Sequence, residues 1–141
     1  MNSIRKQFSD LYDKALIRYQ TSPLRSTDFP DMSANEEHYI DILYGLGQTT
    51  LTEFSEKAKI SKPAATRIIH AFLKKGYLEK TPSQTDKRVF YLELIPDLQE
   101  HCRKNFQLAD TIFSDMLLVL TEEERDQLSY LITKVNKEFD A

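Results

Sequence analysis

The segment SKPAATRIIHAFLKKG, residues 61–76, limits the possible folds more than any other part of this 141-residue chain. Ser61 is a helix-capping residue, and Pro63 falls in the first turn, where its missing amide costs nothing. Gly76 sits just past the end. At 100° per residue Ala65, Ile68, Ile69 and Phe72 share one narrow arc, which must face a core. Pro63, Arg67, His70 and Lys74 lie opposite, Thr66 lies beside them, and Lys62 stands at the N-terminal tip. The result is a short helix with one face to be buried and a cationic outer face.

The surrounding segments extend the pattern. Ile4, Phe8, Leu11, Ala15, Leu16 and Tyr19 recur at helical spacing before the proline-containing connector TSPLRSTDFPDM. Ser33 and Glu36 have capping-box spacing, and they predict a second helix over about 34–46 that stops near Gly45 and Gly47. Thr50 and Glu53 repeat the signal for a short third helix with Leu51, Phe54 and Ala58. After the Ser61 helix, YLEKT and RVFYLEL flank the polar turn PSQTDK as a β-hairpin. Pro96 is expected to open a long helix in which Cys102, Phe106, Ala109, Phe113, Met116 and Leu120 form a packing seam. Thr121 and Glu124 cap a last helix lined by Leu128, Leu131, Ile132, Val135 and Phe139.

Composition narrows the function. Glycine occurs only at 45, 47 and 76, which excludes glycine-rich phosphate loops. Three scattered histidines and one cysteine assemble no nucleophile, base and orienting group, so an enzyme is not expected and no cofactor is implied. The N-terminus has no long apolar run, no membrane span is visible, and a lone Cys102 excludes an internal disulfide. The cytoplasm is therefore the expected compartment. Net charge is −3, but residues 48–95 carry nine Lys/Arg against five Asp/Glu, leaving −7 for the remainder. A basic middle between acidic ends suits a DNA-reading module on a separate scaffold.

Helix, short helix, capped helix and hairpin in succession make a winged helix-turn-helix. The fold class read from this order is mainly α with a small β-hairpin wing (α+β). In such a lobe the capped helix can enter a major groove, and the wing tip, ending in Asp86-Lys87-Arg88, can reach a minor groove. Ser61, Lys62, Pro63, Ala64, Thr66, Arg67, His70, Lys74, Asp86, Lys87 and Arg88 are the candidate DNA-contacting residues. The outer helices carry wider apolar faces than one small lobe can cover, which predicts a homodimer. Ile4, Phe8, Leu11, Phe113, Met116, Leu120, Leu128, Leu131 and Val135 are its candidate contacts. The alternative is a winged-helix module that binds another protein without DNA.

The segment from about Thr50 to Leu94 resembles the DNA-binding lobe of the MarR family, through IS at 60–61, TRII at 66–69, KKGYLEK at 74–80 and DKRVFYLEL at 86–94. The resemblance implies a dimerisation region of N- and C-terminal helices (1–33 and 96–141) and a winged lobe (34–95). Lys62, Pro63, Ala64, Thr66 and Arg67 would face the groove, with Asp86 and Arg88 acting in the wing. It further implies a homodimeric regulator, a repressor in kind, acting on double-stranded DNA at an inverted-repeat operator and released by a small-molecule effector. Two departures are Ile95-Pro96-Asp97-Leu98 in place of the family's Thr and Gly after the wing, and Pro63 and Ala64 in place of small hydroxylated residues.

The sequence holds other candidate sites. His38 and Asp41 share a helix face, but no Cys/His cluster completes a metal site. Cys102 on an apolar seam reads as a structural thiol rather than a redox switch. Tyr12, Tyr19, Tyr39 and Tyr44 could line an effector crevice, although aromatics at this spacing are usually core.

Overall fold

The structure is a computed structural model that describes residues 3–140. Its elements run α1 (Ile4–Thr21), α2 (Ala34–Leu46), α3 (Leu51–Ala58), α4 (Lys62–Lys74), β1 (Leu78–Pro82), β2 (Phe90–Leu94), α5 (Pro96–Met116), a 3₁₀ turn (Leu117–Val119) and α6 (Glu122–Glu138). The chain divides into two compact units, one spanning Ser26–Asn105 and the other made of the chain up to Arg25 and from Phe106 on.

In the unit Ser26–Asn105, α2, α3 and α4 each start where a short hydroxylated side chain satisfies a free amide. Ser33 accepts from Glu36 N at 3.1 Å, and the Glu36 carboxylate returns the bond to Ser33 N at 3.1 Å. Ser61 Oγ accepts from Ala64 N at 3.2 Å. At α3 the box is only half closed. Thr50 accepts from Glu53 N at 3.2 Å, but the Glu53 carboxylate turns to Thr49 Oγ1 at 2.9 Å. Thr49 is buried because its backbone pairs with Leu92, with N···O distances of 2.9 and 2.7 Å, which adds a one-residue third rung to the β1–β2 hairpin.

The core of this unit contains Ile40, Leu43, Phe54, Ala65, Ile69, Phe72, Leu78, Leu92, Leu94 and Leu98. Burial of side chains such as Ile69 and Phe72 contributes about 1.5–3 kcal/mol each, enough to hold α4 by its inner face. Its C-terminus closes through Gly76 at φ 78°, with Tyr77 N donating to Phe72 O at 2.9 Å. Across the unit, Lys75 at the end of α4 pairs with Glu36 at the start of α2. Ser26 ties the connector to α5, donating from its amide to Asn105 Oδ1 at 2.8 Å and sharing a 2.7 Å bond between its hydroxyl and His101 Nδ1.

In the other unit the apolar residues are arranged differently. No side chain of α1 or α6 is buried. Of the large hydrophobic side chains exposed among the described residues, all but Phe90 belong to this unit. The expected long helix through Leu120 is interrupted: α5 ends at Met116, and Leu120 is extended (φ −93°, ψ 147°). The corner is held by Arg125, whose guanidinium donates to Leu120 O at 2.8 Å. The seam is also divided, since Cys102 lies in the core of the winged unit while Phe106 and Phe113 are exposed and Leu108 and Ile112 are buried. No helix of the described residues is long and apolar enough to cross a membrane.

Candidate nucleic-acid interface

Because Ala65, Ile69 and Phe72 hold α4 from inside, its opposite side is left to solvent. Ser61, Lys62, Pro63, Thr66, Arg67, His70 and Lys74 are all exposed, and Ala64 is half-buried. Their common exposure follows from the same 3.6-residue period that buries the inner face. No hydrogen bond or ion pair involves Arg67 among the described residues, so its guanidinium is free to extend. Thr66 differs, because its hydroxyl already donates to Lys62 O at 2.9 Å. It can accept a bond from a ligand but has no second proton to give.

The wing carries the second group. β1 and β2 pair antiparallel from Leu78 opposite Leu94 to Pro82 opposite Phe90. The strand expected from Arg88 onward begins two residues later, at Phe90, so Asp86–Val89 is a turn. Asp86 and Arg88 therefore do not meet through strand alternation. They meet because the turn folds Arg88 back over Asp86, whose Oδ1 accepts from Arg88 N at 3.0 Å and from Nε at 3.2 Å. The Arg88 amide first, and its guanidinium second, hold the Asp86 carboxyl below the usual carboxylate range. Even so paired, the Arg88 side chain is 90% exposed, so the carboxylate orients it without hiding its charge. Lys87 beside it is exposed as well.

Ser83 is a residue the sequence pattern did not single out. It is buried at the tip, and its Oγ accepts from the amides of Thr85 and Asp86, both at 3.2 Å. A serine two and three residues before the acceptor-bonded amides is the signature of a side-chain-closed turn, and that signal was available in PSQTD. Lys80 and Phe90 form another unforeseen pair, with the ammonium 4.0 Å from the ring centroid.

Among the described residues no three His, Cys, Asp or Glu side chains are grouped to hold a metal ion. His38 packs instead against the Tyr39 ring, and Tyr39 packs edge-on to Phe54. Asp41 is pushed up to about 6, chiefly by withdrawal from water and then by the like charge of Glu37. The Cys102 thiol is only 2% exposed and is pushed up to about 12, first by burial and then by the Asp41 and Glu37 carboxylates. A thiolate is the reactive form. Ellman's reagent at pH 8 should therefore leave folded protein unlabelled and titrate one thiol per chain after denaturation; prompt labelling of the native state would contradict the buried position.

The MarR family profile matches residues 32–90, which span α2, the α3–α4 pair and most of the wing. The multiple antibiotic resistance protein MarR of Salmonella typhimurium is 27% identical over 124 residues, covering 87% of this chain and 81% of that protein. Among solved structures, Streptococcus pneumoniae FabT in complex with DNA superposes with a TM-score of 0.76 at 22% identity, covering 95% of this chain and 93% of that one. A mutant MarR from E. coli complexed with operator DNA gives 0.58 at 22% identity, covering 94% and 92%. The profile match places a MarR family domain at residues 32–90, and the chain has the winged helix fold of these solved structures.

Proposed function

We propose that this regulator is a homodimeric repressor that reads an inverted-repeat operator in double-stranded DNA and is released by a small-molecule effector. The carrying observation is the pairing of two exposed cationic features in one compact unit: the outer face of α4 with Arg67, and the wing turn with the 90%-exposed Arg88. Both FabT and the mutant MarR among the similar structures are complexed with DNA. In this reading Lys62, Pro63, Ala64, Thr66 and Arg67 face the major groove, His70 and Lys74 follow along the helix, and Asp86, Lys87 and Arg88 serve the minor groove.

Dimerisation is assigned to the helices outside the winged lobe, residues 1–33 and 96–141. Ile4, Phe8, Leu11, Phe113, Leu131 and Val135 are exposed, while Met116, Leu120 and Leu128 are half-buried. An apolar surface of this extent on a single chain calls for a second copy. The protein-binding alternative has one observation in its favour, the exposed Phe90 on the wing. Lys80 lies over that ring, however, so the wing offers no bare apolar anchor.

The test is binding to fragments of the protein's own upstream DNA over a salt series, for the parent and Arg88→Ala. The parent should bind with a steep salt dependence. Arg88→Ala should lose affinity by similar factors on good and poor sites, and the slope should fall by about one unit for each phosphate-neutralising contact removed. Asp86→Ala should do less damage, because loss of orientation is offset by relief of repulsion from DNA. If the parent binds no DNA at low salt, the interaction module takes the place of the repressor.

A further inference from the structure

A recess of about 400 Å³ opens at the foot of the wing, with all of its lining inside the Ser26–Asn105 unit. Ligand pockets commonly begin at about 300 Å³ and combine apolar walls with a few placed polar groups. Here Leu43, Leu94 and Pro96 supply apolar wall and Tyr44 supplies an aromatic ring. The polar side is formed by Glu93, Gln99, Glu100 and Arg103.

The charges on that side do not cancel. Arg103 is bound to Glu100 through two bonds, Nε to Oε2 at 2.8 Å and one terminal nitrogen to Oε1 at 2.6 Å, so each neutralises the other. Among the described residues Glu93 has no cationic partner; it accepts a single bond, from the Gln99 amide at 3.2 Å. Directly across the hairpin its register partner is another carboxylate, Glu79. Like charges opposed in an antiparallel pair repel, and a positive ligand beside Glu93 would relieve that repulsion.

We propose that the recess binds a small organic monocation with an apolar or aromatic body, with Glu93 as its counter-ion and Tyr44, Leu43, Leu94 and Pro96 enclosing the body. The site is coupled to the wing through Gln99. Its amide bridges Glu93 and the Leu94 carbonyl, the latter at 2.6 Å, and so fastens the end of β2 to the first turn of α5. A cation that recruits Glu93 changes one of those two bonds and thereby favours a different wing position. This consequence for DNA rests on the regulator reading above; binding in the recess does not.

Benzyltrimethylammonium, benzyl alcohol and benzoate form a probe series of similar body and different charge. Calorimetric titration of the full chain should rank the cation first. Glu93→Gln, an exposed and nearly isosteric change whose folding circular dichroism can confirm, should weaken the cation about threefold and bring it close to the alcohol. Arg103→Gln should act oppositely, since it frees the Glu100 charge, and should tighten the cation several-fold. Tightest binding by benzoate, or a Glu93→Gln variant that binds the cation like the parent, would overturn the assignment. In the second arm, saturating benzyltrimethylammonium should lower the parent's DNA affinity several-fold. Unchanged DNA affinity at saturation removes the regulatory role, whereas a parent that never binds DNA removes the repressor reading and leaves the titration in force.

Discussion

Leu131→Asp is expected to convert the proposed dimer to monomer at micromolar concentration, raising the dissociation constant by a thousandfold or more. Leu131 is 56% exposed in the single chain, so an aspartate there is solvated and should leave the isolated fold intact. In a symmetric dimer the same position would be buried twice. Each copy would then place an unpaired carboxylate in an apolar contact, at about 2 kcal/mol or more apiece after partial relaxation, and the two together give about the stated factor. Phe113→Asp, at a position 54% exposed, should behave alike. Sedimentation equilibrium reads the assembly, and circular dichroism reads the fold. A Leu131→Asp protein that remains dimeric would place the interface elsewhere. DNA affinity should fall in parallel, because two linked lobes bind with a high effective concentration that a monomer lacks.

Arg67→Ala should cause the largest loss of specific DNA binding among single substitutions on α4. Arg67 is exposed on the outer face and has no hydrogen bond or ion pair among the described residues to give up, so its removal should leave the fold intact. A base contact is worth about 1–3 kcal/mol per lobe, and an operator engaged by both lobes would register the loss twice. The affinity for the operator should therefore drop by about thirtyfold or more, with a much smaller loss on unrelated DNA. Competition binding with operator and scrambled duplexes separates the cases. An equal loss on both duplexes assigns Arg67 to phosphate, and no loss on either removes α4 from the interface.

The two experiments probe parts of the chain that differed in how far the sequence revealed them. α4 could be read from residues 61–76 alone. Its start is set by Ser61 and Pro63, its end by Gly76 at φ 78°, and its buried arc by Ala65, Ile69 and Phe72. Each of these signals acts within about four residues, the reach of a helical turn, so no knowledge of the rest of the fold was needed. The capping boxes at Ser33 and Thr121 were legible for the same reason.

Other features depended on residues distant in sequence. At Thr50 the spacing implied a closed capping box, but Thr49 is buried by pairing with Leu92, and its hydroxyl takes the Glu53 carboxylate. The 3.5-residue seam from Cys102 to Leu120 was real as a pattern, yet two adjacent apolar stripes satisfy it. Packing buried Cys102, Leu108 and Ile112, left Phe106 and Phe113 outside, and broke the helix after Met116. Asp86 and Arg88 are two residues apart in the wing, but a serine-closed turn rather than strand alternation brings them together. Local hydrogen bonds determine where a helix begins and ends, and the sequence states them. Which of two apolar faces is buried, and which acceptor a carboxylate finds, depends on what stands opposite, and only the tertiary structure supplies that.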